Sequence, residues 1–333
     1  MVQVKTQTKA MFAIVAFAAA ILCFMLVNTA QAQASGITQT AQTQSSITVS
    51  WTPYAQTETN YTMVSQNVQI GADYSSAEDA KEVSIGAYDS NYTFTGLKAG
   101  SEYYIRVNYV YKSSSGYRGS SYYYLYGAKT LPGQVTGLKQ VKWLYFIKSV
   151  EFGWTGQTGV DGYTWTVRKA SNGKKVASDT VKYASSKPFD ECNVKNNVVY
   201  TVTVRAYSII NNTTYWGKTS KTAYLFTQPM CNNKTKAKAG KLTISWGKID
   251  GVTGYKVYVS TKQKSGYKCV KTVGKSKKSV SIKKFKGKKI SKSKKYYVYV
   301  VAKKKVGKTT YTSGKHYTHT VQGSSKPSIN WTY

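Results

Sequence analysis

One signature occurs three times in this chain of 333 residues. A tryptophan closes an alternating segment, and roughly fifty residues later comes Tyr-x-(Ile/Val)-x-Val-x-(Tyr/Ala). The tryptophans are Trp51 (Ser-Ile-Thr-Val-Ser-Trp), Trp154 (Ser-Val-Glu-Phe-Gly-Trp) and Trp246 (Lys-Leu-Thr-Ile-Ser-Trp). The tyrosine motifs begin at Tyr103, Tyr200 and Tyr296. The period is roughly 95 to 100 residues, the size of one small β-sandwich. A repeat of that length leaves little freedom: each copy must bury the same face in its own core, and the chain becomes an array of modules.

The residues within each copy favour strands. Tyr, at 30 residues, combines with Val and Thr, all good β-formers. Ser46–Trp51 alternates with period two and puts Ile47, Val49 and Trp51 on one face. Tyr92–Leu97 is a second such strand. After the turn Lys98-Ala-Gly100, residues Tyr103, Ile105, Val107 and Tyr109 share a face. Pro132 suits a module boundary because it cannot donate to a ladder. Val160-Asp-Gly-Tyr-Thr-Trp-Thr-Val167 is a turn feeding a strand, and Val252-Thr-Gly-Tyr-Lys-Val-Tyr-Val259 repeats it. No long segment after the N-terminus has helical apolar spacing.

These positions resemble tandem fibronectin type III domains. Trp51, Trp154 and Trp246 match that family's core Trp on the second strand. Tyr163 and Tyr255 match the core Tyr of the third strand, with Tyr61 a looser match. Leu97 with Ala99–Tyr103 resembles the family's tyrosine corner, where the Tyr bonds back to upstream backbone. Tyr200 and Tyr296 take that place in the later copies, after departing turns (Lys195-Asn-Asn and Lys292-Ser-Lys). The third copy looks most like modules on secreted proteins of Gram-positive bacteria. The resemblance implies an all-β fold of three tandem immunoglobulin-like sandwiches, at 35–131, 132–228 and 229–321, joined by short linkers as an extended rod. A polar tail follows at 322–333.

The N-terminus reads as a targeting segment. Lys5 and Lys9 precede an apolar run from Met11 to Val27, and Ala30-Gln31-Ala32 is an Ala-x-Ala cleavage site. Residues 1–32 are expected to be a signal peptide, the alternative being an uncleaved anchor. The residue before Cys23 is Leu22, which does not suit lipidation. No later stretch is apolar enough to span a bilayer, so a secreted or cell-wall-associated protein is expected. Three further cysteines, Cys192, Cys231 and Cys269, lack metal-clip spacing. They read as isolated thiols, with one bridge and a leftover thiol as the alternative.

Charge is concentrated at one end. The formal net charge is +35, and residues 229–333 hold 27 Lys, no Arg and a single acid, Asp250. The first copy carries six basic and seven acidic residues, the second thirteen and five. Such a module raises the local concentration of anions. Lys in place of Arg favours loose, salt-sensitive binding over bidentate recognition. Strand parity points Tyr258, Tyr297 and Tyr299 outward beside Lys256, and Ile282-Lys-Lys-Phe-Lys-Gly287 has a heparin-type spacing. The expected contact residues are Lys256, Tyr258, Lys283, Lys284, Lys286, Lys288, Lys289, Lys294, Lys295, Tyr297 and Tyr299. The matching outward positions are Tyr104 and Arg106 in the first copy, and Thr201, Thr203 and Arg205 in the second. Exposed lysine as a guard against edge pairing is the plain alternative.

No catalytic constellation can be assembled. His316 and His319 sit three apart on a strand, face opposite ways, and read as surface residues. The acidic stretch Glu78, Asp79, Glu82, Asp89 is too thin for calcium. Phosphate loops and Gly-x-Ser-x-Gly are absent. Tyr117-Arg-Gly-Ser120 lacks the carboxylate of an integrin motif. Ser121-Tyr-Tyr-Tyr-Leu-Tyr126 puts aromatics on both faces, giving a second candidate patch. No enzyme activity, cofactor or metal is expected. The leading expectation is an adhesion or spacer protein whose third module binds an anionic cell-wall polymer or acidic polysaccharide. The alternative is a module whose tyrosine faces recognise carbohydrate or a surface protein; nucleic acid would bind only non-specifically.

Overall fold

A computed structural model describes residues 36–52, 60–182 and 186–331. The expected signal peptide and Cys23 lie outside these residues. The first sandwich has β1 (Ile37–Gln42), β2 (Ser46–Trp51), β3 (Tyr61–Gly71), α1 (Tyr74–Glu78), β4 (Val83–Ile85), β5 (Asn91–Thr95), β6 (Glu102–Ser113) and β7 (Arg118–Lys129). The second has β8 (Lys139–Leu144), β9 (Ser149–Gly153), β10 (Gly162–Lys169), β11 (Lys175–Lys182), β12 (Phe189–Asn193), β13 (Val199–Ile210), β14 (Thr213–Trp216) and β15 (Ala223–Phe226). The third has β16 (Lys236–Lys238), β17 (Lys241–Ser245), β18 (Gly254–Ser260), β19 (Lys268–Gly274), β20 (Ser279–Ile282), β21 (Lys284–Phe285), β22 (Lys288–Lys289), β23 (Tyr296–Val306), β24 (Thr309–Thr312), β25 (Tyr317–Val321) and β26 (Ser328–Trp331).

One topology is used three times. A three-stranded sheet (β1-β2-β5, β12-β9-β8, β16-β17-β20) accompanies a larger one (β4-β3-β6-β7; β11-β10-β13-β14 with β15; β19-β18-β23-β25-β26 with β24). The fold is all-β, a series of immunoglobulin-like sandwiches. The alternation read from sequence is what fills the cores: Ile47, Val49 and Trp51 are buried, as are Trp154 and Trp246 in the later copies. Tyr163, Tyr200, Tyr255 and Tyr296 are also buried. Each presents its hydroxyl to a backbone N–H five or six residues upstream. Gln157 N donates to Tyr163 (2.7 Å), Lys195 N to Tyr200 (2.9 Å), Ile249 N to Tyr255 (2.9 Å) and Ser291 N to Tyr296 (3.0 Å). These bonds satisfy loop donors that burial would otherwise leave unpaired. Tyr103 is half-buried, at the rim of its sandwich one residue into β6, and the adjacent Tyr104 is buried more deeply.

The repeated turn before β10 and β18 has a steric cause. A Cβ on Gly162 would lie 2.4 Å from the Val181 carbonyl oxygen, and one on Gly254 would lie 2.4 Å from that of Val273. Any other residue there would push the neighbouring edge strand away.

The second and third sandwiches form one compact unit. Ala223 and Leu225 of β15 belong to the second core, while Phe226 belongs to the third and Tyr224 packs against it. A strand whose two faces serve two cores is a shared wall. Tyr317 of β25 makes the reverse crossing: it lies in the second core, whereas Val321 on the same strand lies in the third. The linker expected here is therefore not a bare connection. Segment 322–333, expected to be a polar tail, contains β26, which pairs with β25 in register Thr318↔Asn330 and Thr320↔Ser328. The alternation of β26, Ser-Ile-Asn-Trp, is only four residues long and does not stand out within the polar segment around it.

Cys192, Cys231 and Cys269 are all free thiols. Burial pushes Cys192 and Cys231 up to about 12, and the Asp190 and Glu191 carboxylates add to the shift at Cys192. Cys269 is exposed on β19. Since the thiolate is the nucleophile and burial disfavours it at Cys192 and Cys231, the exposed Cys269 is expected to be the one of these three that reacts with iodoacetamide at pH 8 in the folded protein. Mass spectrometry of peptides labelled before and after denaturation checks this.

Candidate functional site

One group of lysines gathers around the β21–β22 hairpin of the third sandwich, while Lys275, Lys277, Lys278, Lys303 and Lys308 lie toward the other end of β18, β19 and β23. Strands β21 and β22 form a two-residue ladder, Lys284↔Lys289 and Phe285↔Lys288. The turn holds Lys286 and Gly287 at positive φ (49° and 76°), which reverses the chain within two residues. Phe285 and Ile290 are buried and anchor the hairpin to the core. Lys283, Lys284, Lys286, Lys288 and Lys289 are consequently all exposed. The Ile290 N–H donates to Lys283 O (3.0 Å) and the Gly240 N–H to Ile290 O (2.9 Å), fixing the hairpin to the β16–β17 turn. The Lys286 ammonium lies 5.6 Å from the centroid of the Phe285 ring, and it comes near Gly266 in the β18–β19 loop. That loop contributes the exposed Lys262 and Lys264, and Lys294 and Lys295 are exposed just before β23.

Little neutralises these charges. Among the described residues the third sandwich has one ion pair, Lys248–Asp250 at 3.0 Å, with both side chains well exposed. Asp250 is tied toward the second sandwich, where its N–H donates to Asn197 O (3.1 Å).

The tyrosine face is built differently from the expectation. Lys256, Tyr258, Tyr297 and Tyr299 do lie on adjoining strands, in register Lys256↔Val301, Tyr258↔Tyr299 and Ser260↔Tyr297. Tyr258 and Tyr299 stack, with centroids 4.6 Å apart and planes 7° apart. Tyr299 is nevertheless only 9% exposed. Tyr267, from the β18–β19 loop, meets it edge-on at 5.0 Å and donates its hydroxyl proton to Gln263 O (2.6 Å). Burial and the neighbouring tyrosines push the Tyr299 phenol up to about 12. Parity put this ring on the outer face, but a loop covers it. Lys256, Tyr258 and Tyr297 are half-buried.

The equivalent face of the first sandwich is covered too. Tyr104 meets Tyr74 of α1 edge-on at 5.4 Å, and Arg106 is only 9% exposed. Arg106 Nε donates to Gln69 Oε1 (2.9 Å), Nη1 pairs with Glu78 Oε1 (3.1 Å), and the guanidinium lies 4.8 Å from the Tyr122 centroid. The five-residue α1 escaped sequence reading because it is too short to show a period; Asp73 caps it through the Ser76 N–H (2.8 Å). Others in the acidic stretch have structural partners: Glu82 accepts from Asn67 (2.8 Å), and Asp89 caps Gly86 N (2.7 Å). In the second sandwich Arg205 is exposed and stacks 5.0 Å over Trp216. In the candidate patch on β7, Tyr122 and Tyr126 are exposed, whereas Tyr123 donates to Thr52 O (3.0 Å).

The histidines are not surface residues. His319 is 1% exposed, opposite Val298 and Ile329, and neither ring nitrogen has a hydrogen bond of good geometry. Burial pushes it down to about 4, with the Val298 backbone opposing slightly. His316 is half-buried and also lowered by burial. His316 precedes β25 and does not share a strand with His319, and the spacing argument had no means of seeing β26, which pairs beside His319.

No curated protein matches the chain. Among solved structures, it is similar to the FN1-FN3 domains of chicken CNTN1, at 13% identity and a TM-score of 0.32, over 80% of this chain and 92% of that one. It is also similar to a two-domain fibronectin type III segment of chicken tenascin, at 16% identity and a TM-score of 0.31, over 58% of this chain and 98% of that one. Residues 32–123, which include most of the first sandwich, match the family model of the fibronectin type III domain.

Proposed function

We propose that this is an exported, non-enzymatic adhesion or spacer protein whose third sandwich docks on an anionic cell-wall polymer or acidic polysaccharide. The observation that carries the reading is the β21–β22 hairpin, which projects five exposed lysines in a sandwich with a single ion pair among its described residues. Multiple ammonium groups on a short rigid turn suit a repeating anion, and the absence of Arg suits exchange over tight clamping. The match of residues 32–123 to a domain type used for binding and spacing supports the non-enzymatic part. No helix among the described residues is long and apolar enough to cross a membrane.

The test uses the full chain and purified teichoic acid or polygalacturonate. Replacing Lys283, Lys284, Lys286, Lys288 and Lys289 together by Gln is expected to weaken binding at least about tenfold, since each exposed contact contributes only about 0.2–1 kcal/mol. The slope of affinity against salt should flatten in parallel. Unchanged retention, or retention that ignores salt, overturns the reading. The alternative, tyrosine-face recognition of carbohydrate or a surface protein, has exposed rings at Tyr122 and Tyr126 of β7, whereas Tyr299 of the expected face is covered.

A further inference from the structure

A cleft of about 580 Å³ opens within the unit formed by the second and third sandwiches. One wall is segment 134–140 leading into β8. The second runs through β15, and the third is Tyr311 and Thr312 of β24. The volume falls within the range of sites that hold a small ligand.

Its walls are held in place. Gln140 clamps β15 from both directions: its Nε2 donates to Phe226 O (3.0 Å) and its Oε1 accepts from Phe226 N (2.8 Å). Gln134 Nε2 donates to Thr219 O (2.7 Å). Two half-buried rings, Tyr224 and Tyr311, meet with centroids 4.6 Å apart and planes 46° apart, and Phe226 backs Tyr224 at 6.4 Å. The Lys304 ammonium lies 5.8 Å from the Tyr224 centroid and is anchored by donation to Gly251 O (2.7 Å). Lys139 and Lys221 line the opening and are exposed, and no lining residue is acidic.

Aromatic rings beside exposed hydroxyls and unopposed cations define a chemistry. The ring faces suit the C–H face of a pyranose. The hydroxyls of Thr136, Thr222 and Thr312 suit its hydroxyl groups. The lysines require negative charge, which a neutral sugar lacks, whereas a bare inorganic anion would leave the tyrosines unused. We propose that this cleft is a binding site for a short acidic saccharide, a pyranose ring bearing a carboxylate or sulfate. None of its walls comes from the β21–β22 hairpin, so the site is separate from the polymer-docking lysines.

The experiment is calorimetry on the full chain with trigalacturonate, a sulfated trisaccharide and a neutral galactose trimer. At least one charged trimer is expected to bind, and the neutral trimer at least about tenfold more weakly. Tyr311→Ala should weaken the charged trimer about tenfold, and Tyr311→Phe, which keeps the ring, should retain it. Thr222→Trp, which fills the cleft from an exposed wall position, should abolish binding without lowering the melting temperature. The five-lysine hairpin variant should keep trimer affinity while losing the polymer. The proposal is overturned if no charged trimer binds, if the neutral trimer binds equally, if Thr222→Trp binds normally, or if the hairpin variant loses the trimer.

Discussion

Replacing Tyr317 by alanine is expected to destabilise the protein by about 3–5 kcal/mol, the range for removing a large aromatic from a packed core. Tyr317 is 1% exposed and sits among residues of the second core, although it belongs to a strand of the third sandwich. Its ring meets Trp143 at 90°, with centroids 5.6 Å apart. Its hydroxyl accepts from Tyr145 N (3.0 Å) and donates to Trp143 O (3.4 Å). Gln228 holds the backbone on either side: Oε1 accepts from His316 N (2.7 Å) and Tyr317 N (2.8 Å), and Nε2 donates to Tyr317 O (2.8 Å). Truncation removes packing and leaves the Tyr145 donor without its acceptor. Because this residue ties two cores together, the variant should also replace one unfolding transition by two. Tyr317→Phe, which keeps the ring, should lose only about 1–3 kcal/mol from the orphaned donor. Urea unfolding followed by tryptophan fluorescence measures both; a single transition with a loss below about 1 kcal/mol for the alanine variant would sink the shared-core account.

Acid should weaken the protein through His319. Its folded pKa is depressed to about 4 by burial, while an unfolded histidine titrates near 6.5. A group with a depressed histidine pKa is neutral in the folded state when the unfolded chain already binds a proton. Its effect is therefore absent above about pH 6.5 and grows as pH falls toward 4, reaching about 3 kcal/mol at the bottom of that window. His319→Leu removes the titrating ring and two unpartnered nitrogens, so it should be neutral or stabilising at pH 7.5. Carboxylates titrate in the same window, so the informative quantity is the difference between the two proteins at pH 7.5, 5.5 and 4.5. His316, also lowered by burial, contributes a smaller slope of the same sign that remains in the variant. Parallel stability curves for the two proteins would show that His319 is not the sensor.

Much of the architecture could be read without coordinates. The alternation ending at Trp51, Trp154 and Trp246 forces a buried strand face, because a period of two leaves no other way to hide those rings. Tyr163 and Tyr255 follow the same logic and are both fully buried. The charge gradient was equally legible, since counting lysines requires no structure. Of the candidate site, the hairpin lysines stand exposed, and the tyrosines lie on the face that parity assigned. What parity could not supply was what else packs on that face. Tyr299 points outward and is covered by Tyr267; Tyr104 and Arg106 point outward and are covered by α1.

The cleft shows the limit more sharply. Lys139, Tyr224 and Tyr311 are far apart in the chain and share no motif, so nothing local marks them as neighbours. They meet because β15 serves as a wall for two cores, which brings a hairpin of the third sandwich against the second. From sequence alone came the all-β class, the threefold repetition and the lysine-rich end, because each is set by local periodicity or by composition. The shared wall, the buried His319, the covered tyrosines and the cleft were decided by tertiary structure, because burial depends on contacts between segments that no local pattern encodes.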